Sequence, residues 1–255
     1  MQFLRVLRLS SCLLACAALL AAPRADAAPT ALQAVTEDLP PLNLEEDGQA
    51  AGYSTELLQA MLAQAGLHAG FAVMPWARAY RTALDRPNTI VYSMVRTHER
   101  EPLFTWIGPI SKRRIYLFRL KERSDIRIRT LGDAHRYRIG VVHQMAATKS
   151  LQAAGFSYRN ELDEAPNDES NVRKLFAHRV DVILALDWSA YWYAARLGRR
   201  PQDLVPVLLI DDTHSYYFGL NPGSSPDIAK RLDAALQRLR ADGTVERLAR
   251  KYLGP

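Results

Sequence analysis

The apolar residues of this chain follow two alternating patterns. Short apolar runs predict strands, and longer segments in which apolar residues recur every three or four positions predict helices. We predict strands at 31–35, 68–74, 88–95, 113–120, 137–142, 180–186, 204–210 and 214–220. We predict helices at 53–66, 76–84, 147–155, 171–179, 189–198, 225–243 and 244–253. Alternation of this kind predicts an α/β fold with mostly parallel strands.

Residues that typically begin or end helices support these boundaries. Ser54 is placed to cap the helix at 53–66, Gly66 to end it, and Gly243 to end the helix at 225–243. In open α/β sheets, ligands bind beyond the carboxyl ends of the strands, near helix N-termini. That rule nominates five loops, which follow Val35, Met74, Tyr92, Val142 and Leu186.

The first 27 residues have the pattern of a secretory signal peptide. Arg5 and Arg8 precede an apolar run at 9–22, and an A-x-A cleavage site follows at 25–27. The apolar run is about 14 residues long, shorter than the roughly 20 that a membrane-spanning helix needs. We therefore expect cleavage after Ala27 and an exported, periplasmic protein. The alternative is a lipoprotein anchored through Cys16, although the apolar run continues past that cysteine.

Composition argues against several kinds of chemistry. Both cysteines lie in the signal, so a processed chain has none for disulfides, thiol catalysis or metal sites. The net charge of +6 becomes +4 without Arg5, Arg8, Arg24 and Asp26, and basic knots at 111–114 and 197–200 are expected to be solvated loops. No basic tract carries interleaved aromatics, so nucleic-acid binding is not expected. The histidines lack metal spacing and no nucleotide or nucleophile motif occurs, so no metal, cofactor or catalytic residue is predicted.

Four stretches resemble the extracellular solute-binding proteins of family 3, the receptors of polar amino-acid ABC importers. "ALQRLRADGTVERLARKYLG" resembles the family's C-terminal signature, and "SMVRTHEREPLFTWIGPI" resembles its T-x-x-R element and aromatic strand. "VTEDLPPLNLEEDGQAAGYSTELLQAML" resembles its opening strand and Pro-containing cleft loop. "NDESNVRKLFAHRVDVILALD" resembles the helix and strand of its second lobe. The four occur in the family's order and span essentially the whole mature chain.

The resemblance implies the type II periplasmic-binding-protein fold, in which two α/β lobes joined by a two-strand hinge close on a ligand in the cleft between them. Lobe 1 would comprise residues 28–116 and 212–255, and lobe 2 residues 117–211. The implied protein is a monomeric receptor rather than an enzyme. It would bind a small carboxylate-bearing molecule, an amino acid or a relative, and deliver it to an ABC permease in the inner membrane.

Three residues match ligand contacts of the family. Arg100 matches the arginine that grips the ligand's α-carboxylate, a task that needs a permanent cation with a planar donor fork. From the residues alone, Arg100 could equally be a surface arginine paired with Glu99 or Glu101. Trp76 matches an aromatic that can stack on a ligand at the start of a cleft helix, or it is a core tryptophan. Glu37 matches a cleft acid that meets a cationic side chain in some members, or it is a loop carboxylate without a partner.

The chain departs from the family at other cleft positions. Gln144 and Met145 stand where the family has a Gly-Ser/Thr turn, and Val95 stands where it often has a serine. Tyr92 and Ser93 precede Val95 and are expected to line the same wall.

Asp187 is the nearest candidate for the family's ammonium-binding acid, but it falls one residue late. A one-residue slip in a strand reverses the face on which a side chain lies. Asp187 therefore either reaches the ligand through a local irregularity or caps the helix at 189–198. In the second case the ligand need not carry an α-amino group.

Two other functions stay open. An exported enzyme on the same fold, resembling the cyclohexadienyl dehydratases, needs a general acid in the cleft, and His143 or Glu37 could supply it. A sensory or partner-regulating binding protein would use the same cleft without a transporter. Turnover of prephenate or arogenate would identify the enzyme, and gene neighbourhood would identify the sensor.

Overall fold

The structure is a computed structural model, and it describes residues 32–143 and 145–252. Its strands are β1 Leu32–Thr36, β2 Leu44–Glu46, β3 Gln49–Ala51, β4 Ala69–Val73, β5 Thr89–Val95, β6 Thr105–Leu120, β7 Ile139–Val142, β8 Leu162–Ala165, β9 Val182–Leu186 and β10 Leu204–Leu220. Its α-helices are α1 Tyr53–Ala65, α2 Trp76–Asp85, α3 Ala146–Ala153, α4 Asp168–Phe176, α5 Asp187–Arg196, α6 Pro226–Ala241 and α7 Thr244–Tyr252. Short 3₁₀ helices lie at Glu101–Leu103, Leu131–Arg136 and Pro201–Asp203. The predicted signal peptide, with its Cys16 alternative, lies outside the described residues.

The main sheet has eight strands in the order β4-β1-β5-β10-β6-β9-β7-β8. Its two ends are parallel, because β1 pairs with β4 and β5, and β7 pairs with β8 and β9. Its centre is antiparallel, because β10 pairs with β5 and β6, and β6 pairs with β9. The expectation of mostly parallel strands is right for each end and wrong for the centre. There, β6 and β10 carry the chain from one end of the sheet to the other and back.

These two central strands are longer than the apolar pattern predicted. β6 has 16 residues, and the two strands predicted at 204–210 and 214–220 form the single 17-residue strand β10. The register of β10 shifts at several places, including the step between Asp211 and His214. Each shift interrupts the period-2 alternation, which explains why the pattern predicted two strands. The predicted lobe boundaries fall inside β6 and at the middle of β10, and the division into lobes stays a prediction.

The start of α1 corrects the prediction that Ser54 is its cap. The helix begins at Tyr53, the cap position is Gly52, and Ser54 is buried in the first turn. The first two helical N–H groups instead donate to the carbonyls of Pro41 and Leu42, at 2.9 and 2.7 Å. The carbonyls of the preceding loop thus accept the hydrogen bonds that a capping side chain would otherwise accept from the first N–H groups of the helix. The end of the helix is as predicted, with Gly66 in the left-handed region at φ 61°.

A small apolar cluster holds α2 against the sheet. Ala79 and Ala83 are fully buried and belong to one cluster with Val35 of β1 and Met94 of β5. Alanine at these positions lets the helix approach the strands closely. Trp76, at the start of α2, packs against the same cluster. The carboxyl ends of β1 and β5 and the start of α2 are therefore fixed relative to one another.

Two parts of the fold were not predicted from the pattern. One is the hairpin of β2 and β3, whose strands are three residues each and too short for alternation to be visible. The other is β8, the edge strand of the main sheet. Within the described ranges, none of the helices is long and apolar enough to cross a membrane.

Candidate functional site

The carboxyl ends of the strands converge on a cavity of about 250 Å³, which we call the Arg100 pocket. The loops after β1, β4, β5 and β7 contribute to it, and β9 ends in its wall. The rule for open α/β sheets nominated the loops after five strands, and at the fifth only Leu186 itself reaches this pocket, because α5 begins at Asp187, which lines another cavity. Its lining residues are Glu37, Leu39, Trp76, Ser93, Met94, Val95, Arg100, Arg113, Met145, Leu186 and Tyr216. Six of them were predicted to contact a ligand, and this stays a prediction: Glu37, Trp76, Ser93, Val95, Arg100 and Met145.

Arg100 lies in this pocket without a carboxylate partner among the described residues. A turn presents it, closed by hydrogen bonds from the amides of Arg100 and Glu101 to the Thr97 carbonyl at 3.1 and 2.9 Å. The Arg100 side chain donates from Nη1 to the Val95 carbonyl at 3.1 Å. Glu101 pairs instead with Arg96, whose Nε lies 2.6 Å from its carboxylate. The alternative of an ion pair between Arg100 and Glu101 is therefore not what the structure shows.

Two aromatic rings support the Arg100 guanidinium. Its central carbon lies 5.4 Å from the ring centroids of both Trp76 and Tyr80. A cation–π contact is worth about 0.5–1 kcal/mol at an exposed site and about 2 when desolvated. These rings orient the guanidinium without neutralising its charge. Trp76 itself is half-buried and lines the pocket, so it is not enclosed in the core.

Among the described residues, Glu37 is the one carboxylate in the wall of the Arg100 pocket. Burial raises the pKa of this carboxyl above its ordinary value, nearby Asp38 raises it further, and Arg100 lowers it. The carboxylate has no hydrogen-bond or ion-pair partner within the described part of the chain. A half-buried acid with a raised pKa beside an uncompensated cation is typical of a binding or catalytic site.

The end of β5 places its three predicted contacts in different surroundings. The backbone of Ser93 has φ 57°, unusual for a residue other than glycine, and its Oγ donates to Ser54 Oγ at 2.9 Å. Ser93 and Val95 line the Arg100 pocket. The Tyr92 side chain does not line this pocket. Its ring is fully buried and its hydroxyl hydrogen-bonds with that of Thr55 at 3.1 Å.

Asp187 is directed away from the Arg100 pocket. Its carboxylate accepts from Arg114 Nε at 2.7 Å and from the Trp188 amide at 2.8 Å. It lines a separate cavity of about 270 Å³ with Arg114, Trp188 and Tyr53. Asp187 is the first residue of α5 rather than its cap, which is Leu186. Burial raises the pKa of Asp187, and the opposing effect of Arg114 is smaller. The structure therefore does not bring Asp187 together with Arg100.

The loop after β7 contributes Met145 to the pocket. Gln144, predicted beside it, lies outside the described residues. His143 is exposed and faces Glu164 rather than the pocket. In the described part of the chain, no group of three or more His, Cys, Asp or Glu side chains could hold a metal ion.

Arg113 is the pocket residue that the sequence most clearly missed. The knot at 111–114 was expected to be a solvated loop, which is wrong, because it lies inside β6. The Arg113 side chain is only 16% exposed and donates from Nη1 to Asp211 at 2.9 Å. Lys112 and Arg114, on either side of it, are exposed. Arg113 stands two and four positions before Ile115 and Leu117, which are buried, and this period-2 relation along the strand is the signal that could have identified it.

Comparison with known proteins identifies the architecture. The model of the bacterial extracellular solute-binding proteins, family 3, matches residues 32–255. A search of curated protein sequences finds no significant match. Solved structures similar to this chain are type II periplasmic-binding-protein domains, which is the fold predicted from the sequence.

Three of these structures illustrate the different kinds of protein that share this fold. A histidine kinase sensor domain with similarity to periplasmic binding proteins is 18% identical over 89% of this chain and 97% of its own, with a TM-score of 0.65. The second substrate binding domain of a putative amino acid ABC transporter from Streptococcus pneumoniae is 18% identical over 88% and 100%, with a TM-score of 0.72. The ancestral amino acid-binding protein AncCDT-1, a precursor of cyclohexadienyl dehydratase, is 19% identical over 88% and 95%, with a TM-score of 0.63.

Proposed function

Because this chain belongs to the bacterial extracellular solute-binding proteins, family 3, we propose that it captures a small carboxylate-bearing solute, an amino acid or a relative of one, in the Arg100 pocket. The observation that carries the proposal is the Arg100 guanidinium, which lies against two neighbouring rings and has no ion-pair partner in the described residues. Its planar donor fork matches a carboxylate. Trp76 packs on the solute, and Glu37 meets a cationic group where the solute has one.

The proposal extends to transport. The protein is exported by the signal peptide at 1–27, binds its solute as a monomer and delivers it to an ABC permease in the inner membrane. The Arg100 pocket is lined by residues from both ends of the sheet, such as Arg100 and Leu186. A bound solute therefore favours an arrangement in which the two predicted lobes are closed on each other. The similarity to a domain of a putative amino acid ABC transporter supports this role.

A sensor is an equally good match to the fold, since a histidine kinase sensor domain is among the similar structures. Capture of the solute in the Arg100 pocket is common to both roles. They differ in the partner that recognises the closed form. Co-purification of the loaded protein with a permease, rather than with a membrane kinase, would distinguish them.

An enzyme is the third candidate, supported by Glu37 and by similarity to the ancestor of a dehydratase. The raised pKa of Glu37 suits a general acid. Incubation with prephenate or arogenate tests it directly. Turnover that Glu37→Gln abolishes would favour the enzyme over the receptor.

A solute screen by thermal unfolding tests the receptor. The full chain, expressed with its own N-terminal segment and refolded to remove bound solute, is heated with amino acids, other carboxylates and amines. A solute at 100 times its Kd adds about 2.7 kcal/mol to the free energy of unfolding, which raises Tm by roughly 5–10 °C for a chain of this size. Carboxylates are expected to give the shift. A screen in which only amines act, or none does, would contradict the proposal.

The pH dependence of binding is expected to report on Glu37. As pH falls from neutral through the raised pKa of Glu37, this carboxylate becomes protonated. A solute with an ammonium group then loses an attraction and binds more weakly, whereas one without it loses a repulsion and binds more tightly. Calorimetric titration of wild type and Glu37→Gln across this range measures the effect. The affinity should change with pH in wild type and not in Glu37→Gln. Identical pH profiles of affinity for the two proteins would contradict the role given to Glu37.

A further inference from the structure

Two guanidinium groups, not one, face the Arg100 pocket. Arg113 lines it together with Arg100, against the single carboxylate of Glu37. The family assignment accounts for Arg100 through the carboxylate of the solute. Nothing in the proposed function uses Arg113, although its side chain is 16% exposed and lies in the middle of a central strand.

The local partners of Arg113 leave part of its donor capacity free. Of its five N–H donors, Nη1 donates to Asp211 Oδ2 at 2.9 Å. Burial raises the pKa of the nearby Tyr216 hydroxyl, and the Arg113 charge opposes that rise. Asp211 is itself engaged by Thr213, whose amide and hydroxyl donate to Oδ1 at 3.0 and 2.6 Å. The other Arg113 donors have no partner within the described residues. A carboxylate can therefore bind Arg113 without displacing Asp211.

Arg113 also stands where two cavities meet. Arg113 and Val95 line both the Arg100 pocket and an adjoining cavity of about 460 Å³, which we call the Asp211 cavity. The Asp211 carboxylate lines only the adjoining cavity, and its ion pair offsets part of the Arg113 charge. The wall of the Arg100 pocket still presents two guanidinium groups: Arg100 has no ion-pair partner among the described residues, and Arg113 keeps N–H donors free.

We propose that Arg113 is a second anion anchor and that the solute is a dicarboxylate, with one carboxylate on Arg100 and the other on Arg113. This inference rests on the proposed function, because it assumes that Arg100 binds the first carboxylate. Asp187 is committed to Arg114 outside the pocket, so an ammonium group, if present, is met by Glu37. The class therefore includes acidic amino acids and dicarboxylates without an amine.

Two pairs of solutes test the inference, each differing by one carboxylate exchanged for an amide. They are L-glutamate with L-glutamine, and glutarate with its monoamide. In calorimetric titrations of the refolded full chain, the dicarboxylate is expected to bind about 10-fold tighter or more, the effect of one charge-assisted hydrogen bond. An amide member that binds as tightly as its dicarboxylate would overturn the inference and leave the proposed function standing. Failure of all four solutes would also overturn it, while the wider screen still decides the proposed function.

Three variants test whether Arg113 is the source of the preference for a dicarboxylate over its amide. Arg113→Gln is expected to reduce the preference to within about 3-fold without abolishing binding of the amide member. Lys112→Gln, an equal loss of charge at the exposed neighbouring position, should keep it. Asp211→Asn should strengthen dicarboxylate binding by removing a competing anion, and it serves as a second test if Arg113→Gln does not fold. Retention of the full preference in Arg113→Gln, or weaker dicarboxylate binding in Asp211→Asn, would contradict the assignment.

Discussion

The Arg100→Ala variant is expected to bind the solute about 30-fold more weakly or worse, the effect of losing about 2 kcal/mol or more from a hydrogen-bonded charge pair. The solute carboxylate would then enter the pocket without its facing cation. Calorimetric titration with the best solute from the thermal screen measures the change. Arg100→Lys should retain part of the affinity, because lysine keeps the charge but lacks the planar fork.

The fold is not expected to depend on Arg100. Its side chain is part-buried and makes one hydrogen bond within the described residues, to the Val95 carbonyl. Arg81, on the helix α2, offers a matched control, since its side chain is 77% exposed and Asp85 is its one ion-pair partner among the described residues. Arg81→Ala should bind as wild type does. Equal affinities for wild type, Arg81→Ala and Arg100→Ala would remove the basis of the account.

The Gly52→Ala variant is expected to lose about 3 kcal/mol or more of unfolding free energy, since it combines a strained backbone with a steric clash. Gly52 has φ 105°, and an added Cβ would lie 2.7 Å from the Leu42 carbonyl oxygen and 2.8 Å from that of Pro41. These carbonyls accept the first N–H groups of α1. Relieving the clash would therefore move the loop away from the helix it anchors. Chemical denaturation measures the loss.

Gly48 separates the clash from the backbone strain. It also has a positive φ, 75°, but an added Cβ there meets nothing within 4 Å. Gly48→Ala should therefore cost only about 1–2 kcal/mol, the usual left-handed penalty. Because the loop before Gly52 also carries Glu37 and Leu39, Gly52→Ala should weaken solute binding and Gly48→Ala should not. Equal losses of stability in the two variants would refute the role of the loop carbonyls.

The location of the site could be predicted from sequence because it depends on periodicity and chain direction alone. Parallel strands end at one edge of a sheet, so residues that follow β1, β4 and β5 had to lie close together. Trp76 and Ser93 are in the pocket for this reason. Arg100 was predicted from a motif, and its immediate surroundings, the rings of Trp76 and Tyr80, depend on the packing of α2.

What the sequence could not provide depends on partners far along the chain. Asp187 is turned away by Arg114, which is 73 positions earlier, on another strand. Arg113 looked like part of a surface knot because its partner Asp211 is 98 positions away. The Ser54 cap was wrong because two loop carbonyls took over the helix donors. In each case a tertiary contact, which a local pattern does not report, determined the outcome.

A crystal structure of the full chain with its tightest-binding solute would show whether Arg100 binds the solute carboxylate. We predict a solute carboxylate within hydrogen-bonding distance of the Arg100 guanidinium, about 2.7–3.2 Å, with Trp76 against the body of the solute. A solute bound in the cavity beside Asp187, or one in the Arg100 pocket whose carboxylate does not touch Arg100, would contradict it.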